Sequence, residues 1–135
     1  MTDDRPPRVL IADDDDVMII GVAELLRRRG IEVDTVNQLK DAYFSGYDIV
    51  IFDPLIEETG LSAARSFVTW ALAQNPPPAL IVVSEFIDSI DALGTPPGPR
   101  AVLHAKPIRV SALAESVETM LSELAAEELE EETAS

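Results

Sequence analysis

No cysteine occurs among the 135 residues. This excludes a disulfide framework, thiolate chemistry and a zinc site of the usual kind. No apolar run approaches the ~20 residues that a membrane-spanning helix needs. The opening MTDDRPPR, read as a flexible N-terminus over residues 1–7, lacks the apolar segment of a secretory signal. Positive charge is scarce, with 10 Lys and Arg against 25 Asp and Glu and a formal net charge of −15. Phosphate binding requires Lys and Arg to displace counterions, so no direct nucleic-acid partner is expected. These absences predict a soluble, cytoplasmic chain that touches neither nucleic acid nor membrane. No basic residue follows Arg109. The last stretch, ELAAEELEEETAS, reads as helix turns fraying into an acidic tail over residues 126–135.

What is present is enough for one domain, with a hydrophobic content of 47%. Two textures alternate along the chain. RVLIA (8–12), IEVDTV (31–36), DIVIF (48–52), ALIVV (79–83) and AVLHA (101–105) are short and rich in β-branched residues, as strands are. The first, third and fourth are apolar almost throughout, which suits parallel strands covered on both faces. Between them Met18, Val22, Leu25 and Leu26 fall on one helical stripe that Gly30 stops. Leu61, Ala64, Val68, Ala71 and Leu72 form a second stripe. Val110, Leu113, Ala114, Val117, Met120, Leu121 and Leu124 form the longest. Weaker helices are expected over Gln38–Ser45 and Glu85–Leu93, and GTPPGPR (94–100) is a loop. The pattern predicts an α/β fold: a doubly wound five-stranded parallel sheet of order 2-1-3-4-5, a flavodoxin-like (βα)5 three-layer sandwich. Ligands of such sheets bind outside the carboxyl ends of the strands, where strands one and three are neighbours.

The informative polar residues all fall on that edge. Asp13 and Asp14 follow the first strand, Asp53 the third and Ser84 the fourth, while Lys106, with Pro107 after it, follows the fifth. Three converging carboxylates cannot all stay ionised unaided. A like pair about 4 Å apart costs ~4 kcal/mol even at an effective dielectric of about 20. Either their pKa values rise or a cation sits among them. An oxygen-only set suits a hard ion such as Mg²⁺, and a lysine nearby can neutralise a carboxylate or meet a phosphoryl oxygen. The chemistry suggested is phosphoryl transfer to a carboxylate.

In VLIADD, DIVIFD, IVVS and AKPI, in that order, the chain resembles the receiver domains of two-component response regulators over residues 8–125. The resemblance implies that Asp53 accepts a phosphoryl group from a sensor histidine kinase or a histidine phosphotransfer protein. It implies that Asp13, Asp14, Asp53 and the carbonyl of Leu55 hold Mg²⁺. Ser84 would bond the phosphoryl oxygen, Lys106 would contact the acyl phosphate, and the Lys106–Pro107 bond would be cis. With no further domain following, the chain reads as a stand-alone receiver and not an enzyme. Its output would be contact with a downstream protein target, self-association into a homodimer being left open. A scaffold that binds a partner without phosphorylation is the second reading, and a small Mg²⁺-dependent phosphatase the third.

Plainer roles fit the remaining candidates. Asp15 and Asp16 precede a helix, so one is its N-cap and the other a favourable charge at its positive end. His104 lies within a strand and Trp70 on a helix, and both read as structural. The chain also departs from the family pattern. Pro54 directly follows the acceptor, and the loop to Gly60 looks a residue short. Glu85 replaces a small residue, and Leu103 stands where an aromatic is common. The resemblance implies that Leu55 and Phe86 flank the approach of a hydrolytic water, and both are apolar, so a phosphorylated form is expected to be long-lived.

Overall fold

Alternate residues of each strand face opposite sides of the sheet, and both sides are covered. The structure, a computed structural model, describes residues 5–55, 61–85 and 101–134, with side chains described as far as Leu129. Strands β1 (Arg8–Ala12), β2 (Glu32–Val36), β3 (Ile49–Phe52), β4 (Ala79–Ser84) and β5 (Ala101–Ala105) form one sheet of order β2-β1-β3-β4-β5. Every neighbouring pair is parallel. This is the doubly wound order that the sequence pattern predicts.

Helices α1 (Asp16–Arg28) and α3 (Val110–Ala134) cover one face, and α2 (Ser62–Leu72) covers the other. Val9 and Ile11, Ile49 and Ile51, and Ile81 and Val83 pack with Val22 and Leu26 of α1 and Leu113 and Val117 of α3. Their sequence neighbours Leu10, Val50, Phe52, Leu80 and Val82 pack with Phe67 and Ala71 of α2. The period of two in the strands thus divides the core into two layers. Helix α1 begins where the Asp15 carboxylate accepts a hydrogen bond from Met18 N at 3.2 Å, and Gly30 follows its end with φ +81°. Along the contact with α3, a Cβ built on Gly21 would lie 3.0 Å from Val110 Cγ2, so even an alanine there would require the Val110 side chain to give by a few tenths of an ångström.

Two elements differ from expectation. Over Gln38–Ser45 there is only a 3-10 turn, Leu39–Asp41. Within that segment only Leu39 and Ala42 are buried, three residues apart, the repeat of a 3-10 turn, and eight residues are too few to repay helix nucleation alone. Tyr43 instead packs its ring against Phe67 and Trp70, at centroid distances of 5.4 and 5.0 Å. Helix α3 continues to Ala134, well past Leu124 where its apolar stripe ends. Apart from Glu85, the expected helix over Glu85–Leu93, the loop 94–100, Phe86 and Gly60 lie outside the described residues. Among the described residues no helix is long and apolar enough to cross a membrane.

Candidate functional site

Strand register builds the site. Ala12 of β1 lies opposite Phe52 of β3, so Asp13 and Asp53 leave the sheet side by side, with Asp53 N donating to Ala12 O at 3.2 Å. Ser84 is the last residue of β4 and lies opposite Ala105 of β5. It is therefore a buried strand residue and not a loop serine. Lys106 N donates to Ser84 O at 2.9 Å, and the Lys106–Pro107 peptide is cis.

From this position the Lys106 ammonium reaches both carboxylates. Nζ donates to Asp53 Oδ2 at 2.9 Å and to Asp13 Oδ1 at 3.1 Å. Asp53 Oδ1 also accepts from Leu55 N at 2.8 Å, and Asp13 Oδ1 from Asp15 N at 3.0 Å. Asp13 Oδ2 lies 3.0 Å from the same ammonium, yet it is a buried oxygen that accepts no hydrogen bond. The contact is an ion pair without a hydrogen bond.

Charge does not balance here: two carboxylates share one ammonium. Burial works against charge on Lys106, but hydrogen bonds to Asp53 and Asp13 outweigh it and its pKa rises. Burial raises the pKa of Asp13, with the Asp53 charge adding to it, and the bonds from Asp15 and Lys106 offset only part. The two shifts are consistent. The one cation gains two partners, while the deeper anion, 1% exposed, receives half a partner.

The four consecutive aspartates now separate into four roles. Asp13 turns in to Lys106. Asp15 caps α1. Asp16 opens the helix and accepts a hydrogen bond from Asn37 Nδ2 at 3.2 Å. Asp14 is exposed and, among the described residues, makes no hydrogen bond or ion pair. Asn37 is the residue that sequence reasoning missed. The signal was available, since it is the polar residue following β2, the neighbour of β1, on the same edge of the sheet.

Mg²⁺ is the ion that the resemblance implies. Among the described residues no group of three acidic or imidazole ligands already encloses a metal position. The expected three-way convergence is thus a pair, Asp13 with Asp53, beside an outward Asp14. The donors nevertheless fit. A buried carboxylate oxygen accepts no hydrogen bond, the pair carries excess negative charge, and Mg²⁺ is commonly held by one or two carboxylates with waters completing the shell. Asp13, Asp14, Asp53 and the Leu55 carbonyl would hold it.

Beside Lys106 opens a groove of about 550 Å³ lined by Val17, Met18, Pro107, Ile108 and Val110, with Asp15 and Glu85 also on its walls. Val17 is 82% exposed. Glu85 is exposed as well, so the bulk and charge that replace a small residue stand at the mouth of the site. Leu103 on β5 is 44% exposed. His104 is 2.8 Å from Ser116 Oγ of α3 and Trp70 packs against Phe67, both structural as expected.

No protein-family model matches the sequence, and no curated protein sequence does. Solved structures do match the fold. The signal receiver domain of a putative Luxo repressor protein from Vibrio parahaemolyticus superposes with a TM-score of 0.74 at 22% identity, covering 92% of this chain and 96% of that one. The chain has the receiver fold. A response regulator from Thermotoga maritima matches with a TM-score of 0.69 at 19% identity, covering 87% of this chain and 98% of that one. A CheY-like receiver domain from Methylobacillus flagellatus gives 0.66 at 22% identity, with coverage of 85% and 98%. The receiver fold accounts for the chain almost from end to end, and for Asp13, Asp53, Ser84 and Lys106 meeting at one edge.

Proposed function

We propose that the chain is a phosphorylation-dependent signalling receiver. Asp53 accepts a phosphoryl group from the phosphohistidine of a sensor kinase or phosphotransfer protein, with Mg²⁺, and the modified chain signals by protein contact in the cytoplasm. The observation that carries this reading is the Lys106 bridge between Asp13 and Asp53 at the switch edge of a receiver fold.

The step needs little from the protein beyond placement and charge. An Asp53 carboxylate oxygen attacks phosphorus while the P–N bond breaks, and the bonding pair leaves with the imidazole nitrogen. Lys106 pairs with the carboxylate before attack and is close enough to turn to a phosphoryl oxygen afterwards. Ser84, at the end of β4, offers its hydroxyl to another oxygen. Bound Mg²⁺ supplies neutralisation of charge on the transferred group. The apolar groove beside Lys106 suits a protein donor better than a small one, since a partner seated there lies next to Asp53. In this reading the chain is a kinase's substrate and not an enzyme with substrates of its own.

Incubation with Mg²⁺ and acetyl phosphate, followed by mass spectrometry, tests the reading. One phosphoryl adduct is expected, lost in Asp53→Asn. No adduct from any donor would favour a scaffold that binds partners unmodified, a reading to which Glu85 at the groove lends weight. Turnover of phosphate esters would indicate a phosphatase. For the metal, Asp14→Ala should abolish the Mg²⁺-dependent response, while Asp16→Ala leaves it nearly intact, because Asp16 is turned to Asn37. Equal loss of Mg²⁺ binding in both variants would contradict this division of the aspartate run.

A further inference from the structure

Four acidic side chains in a row pose a selection problem that the sheet alone does not solve. Asp13 and Asp15 are held by Lys106 and by the α1 N-terminus. Asp14 and Asp16 remain as rivals for any cation at this edge, and the conformation of one short loop decides between them. Asn37 acts on that loop at two points through one amide nitrogen. Nδ2 donates to the main-chain oxygen of Asp13 at 3.3 Å and to Asp16 Oδ1 at 3.2 Å. The first bond fixes the peptide unit joining Asp13 to Asp14, and with it the direction in which the Asp14 side chain starts. The second engages the rival carboxylate on the β2 side. Asp13 N donating to Val36 O at 3.1 Å ties the same loop to the residue before Asn37.

We propose that Asn37 is a positioning residue for the cation site: it selects Asp14 over Asp16 by clamping the loop between them. The inference rests on the Mg²⁺-dependent reading above and names a residue outside that reading. The chemistry at position 37 is demanding. The residue must donate twice and carry no negative charge, since its partners are a carbonyl and a carboxylate. Asparagine meets this at the length available. Aspartate at position 37 would offer only acceptors to both partners and would repel Asp16. Removal of an outer partner that orients a metal ligand commonly costs ten-fold or more in affinity.

Calorimetric titration with MgCl₂ is the test, together with the Mg²⁺ dependence of phosphorylation by acetyl phosphate. In Asn37→Ala, Mg²⁺ affinity should fall about ten-fold. The Mg²⁺ concentration for half-maximal phosphorylation should rise equally, with the maximal rate changing far less. Asn37→Asp should bind Mg²⁺ more weakly still. Adding Asp16→Ala to Asn37→Asp should recover part of that loss by removing the repulsion. A purely structural role would instead lower the thermal midpoint in EDTA and leave the Mg²⁺ titration unchanged, which would overturn the proposal. Wild-type binding of Mg²⁺ with unchanged affinity in both Asn37 variants would also overturn it, leaving the receiver reading intact. Absence of Mg²⁺ binding in the wild type would remove both.

Discussion

At the scale of single residues, one ammonium serves two carboxylates, and Asp13 carries the mismatch. Its pKa is raised above 3.8 in the fold, burial being the main cause. The folded state therefore binds this proton more tightly than the unfolded chain does. The stability it contributes is present below about pH 3.8 and lost as pH rises through the raised value. At neutral pH the ionised group is a net cost. Asp13→Asn keeps an acceptor for Asp15 and Lys106, so in EDTA at pH 7 it should raise the thermal midpoint by a few degrees. The gain should vanish as pH falls through the carboxylate range. Lys106, raised above 10.5, supplies stability that is present below that pH and is lost as pH rises through its folded value. In the proposed phosphorylated form, Leu55 would bear on a different quantity, the lifetime of the aspartyl phosphate. Its backbone is held against Asp53, and its apolar side chain cannot orient water. Leu55→Asn should speed loss of the phosphoryl group about ten-fold, equivalent to ~1.4 kcal/mol of barrier, followed as decay of the phosphorylated mass. An unchanged decay would remove Leu55 from control of the lifetime.

Among the elements, α2 depends on Phe67 more than on any cap. Its N-cap position, Leu61, provides no side-chain hydrogen bond, and Phe67 is fully buried against Phe52 and Tyr43. Phe67→Ala should cost about 3–5 kcal/mol, read as a shift in the denaturant midpoint at unchanged slope. The same element shows what the sequence conveyed and what it hid. Strands with β-branched runs and helices with two or more turns of stripe were legible, because burial on two faces leaves a period that local residues must obey. The site edge was legible for the same reason, since each functional group follows a strand whose register is fixed by that period. The segment over Gln38–Ser45 was not, because its structure is decided by where Tyr43 finds partners, on a helix more than twenty residues away. Asn37 was marked by its place after β2 on that edge, but no pattern in the sequence showed its role. Its significance lies in two acceptors across a loop, and a hydrogen bond leaves no periodicity behind.

For the whole molecule, the receiver fold explains why so few residues suffice. A sheet that brings the ends of β1, β3, β4 and β5 to one edge needs only one polar residue from most of them to make a site. The acidic excess is spread beyond that edge, and much of it lies at the far end of α3. That helix has 25 residues, with no acidic residue in its first turn and no basic residue in its last. A helix of this length spans ~37 Å, roughly twice a strand of this sheet, and from Ala125 to Leu129 its residues are exposed. They are also written against their own dipole, because glutamates gather at the pole that already carries partial negative charge. The end of α3 is therefore an element whose order is set by the medium. Screening or protonation should lengthen it and low ionic strength should unwind it. Far-ultraviolet circular dichroism should show helicity rising with salt while the aromatic signals of the core stay constant. A helix content independent of salt would mean that packing, and not charge, holds those turns.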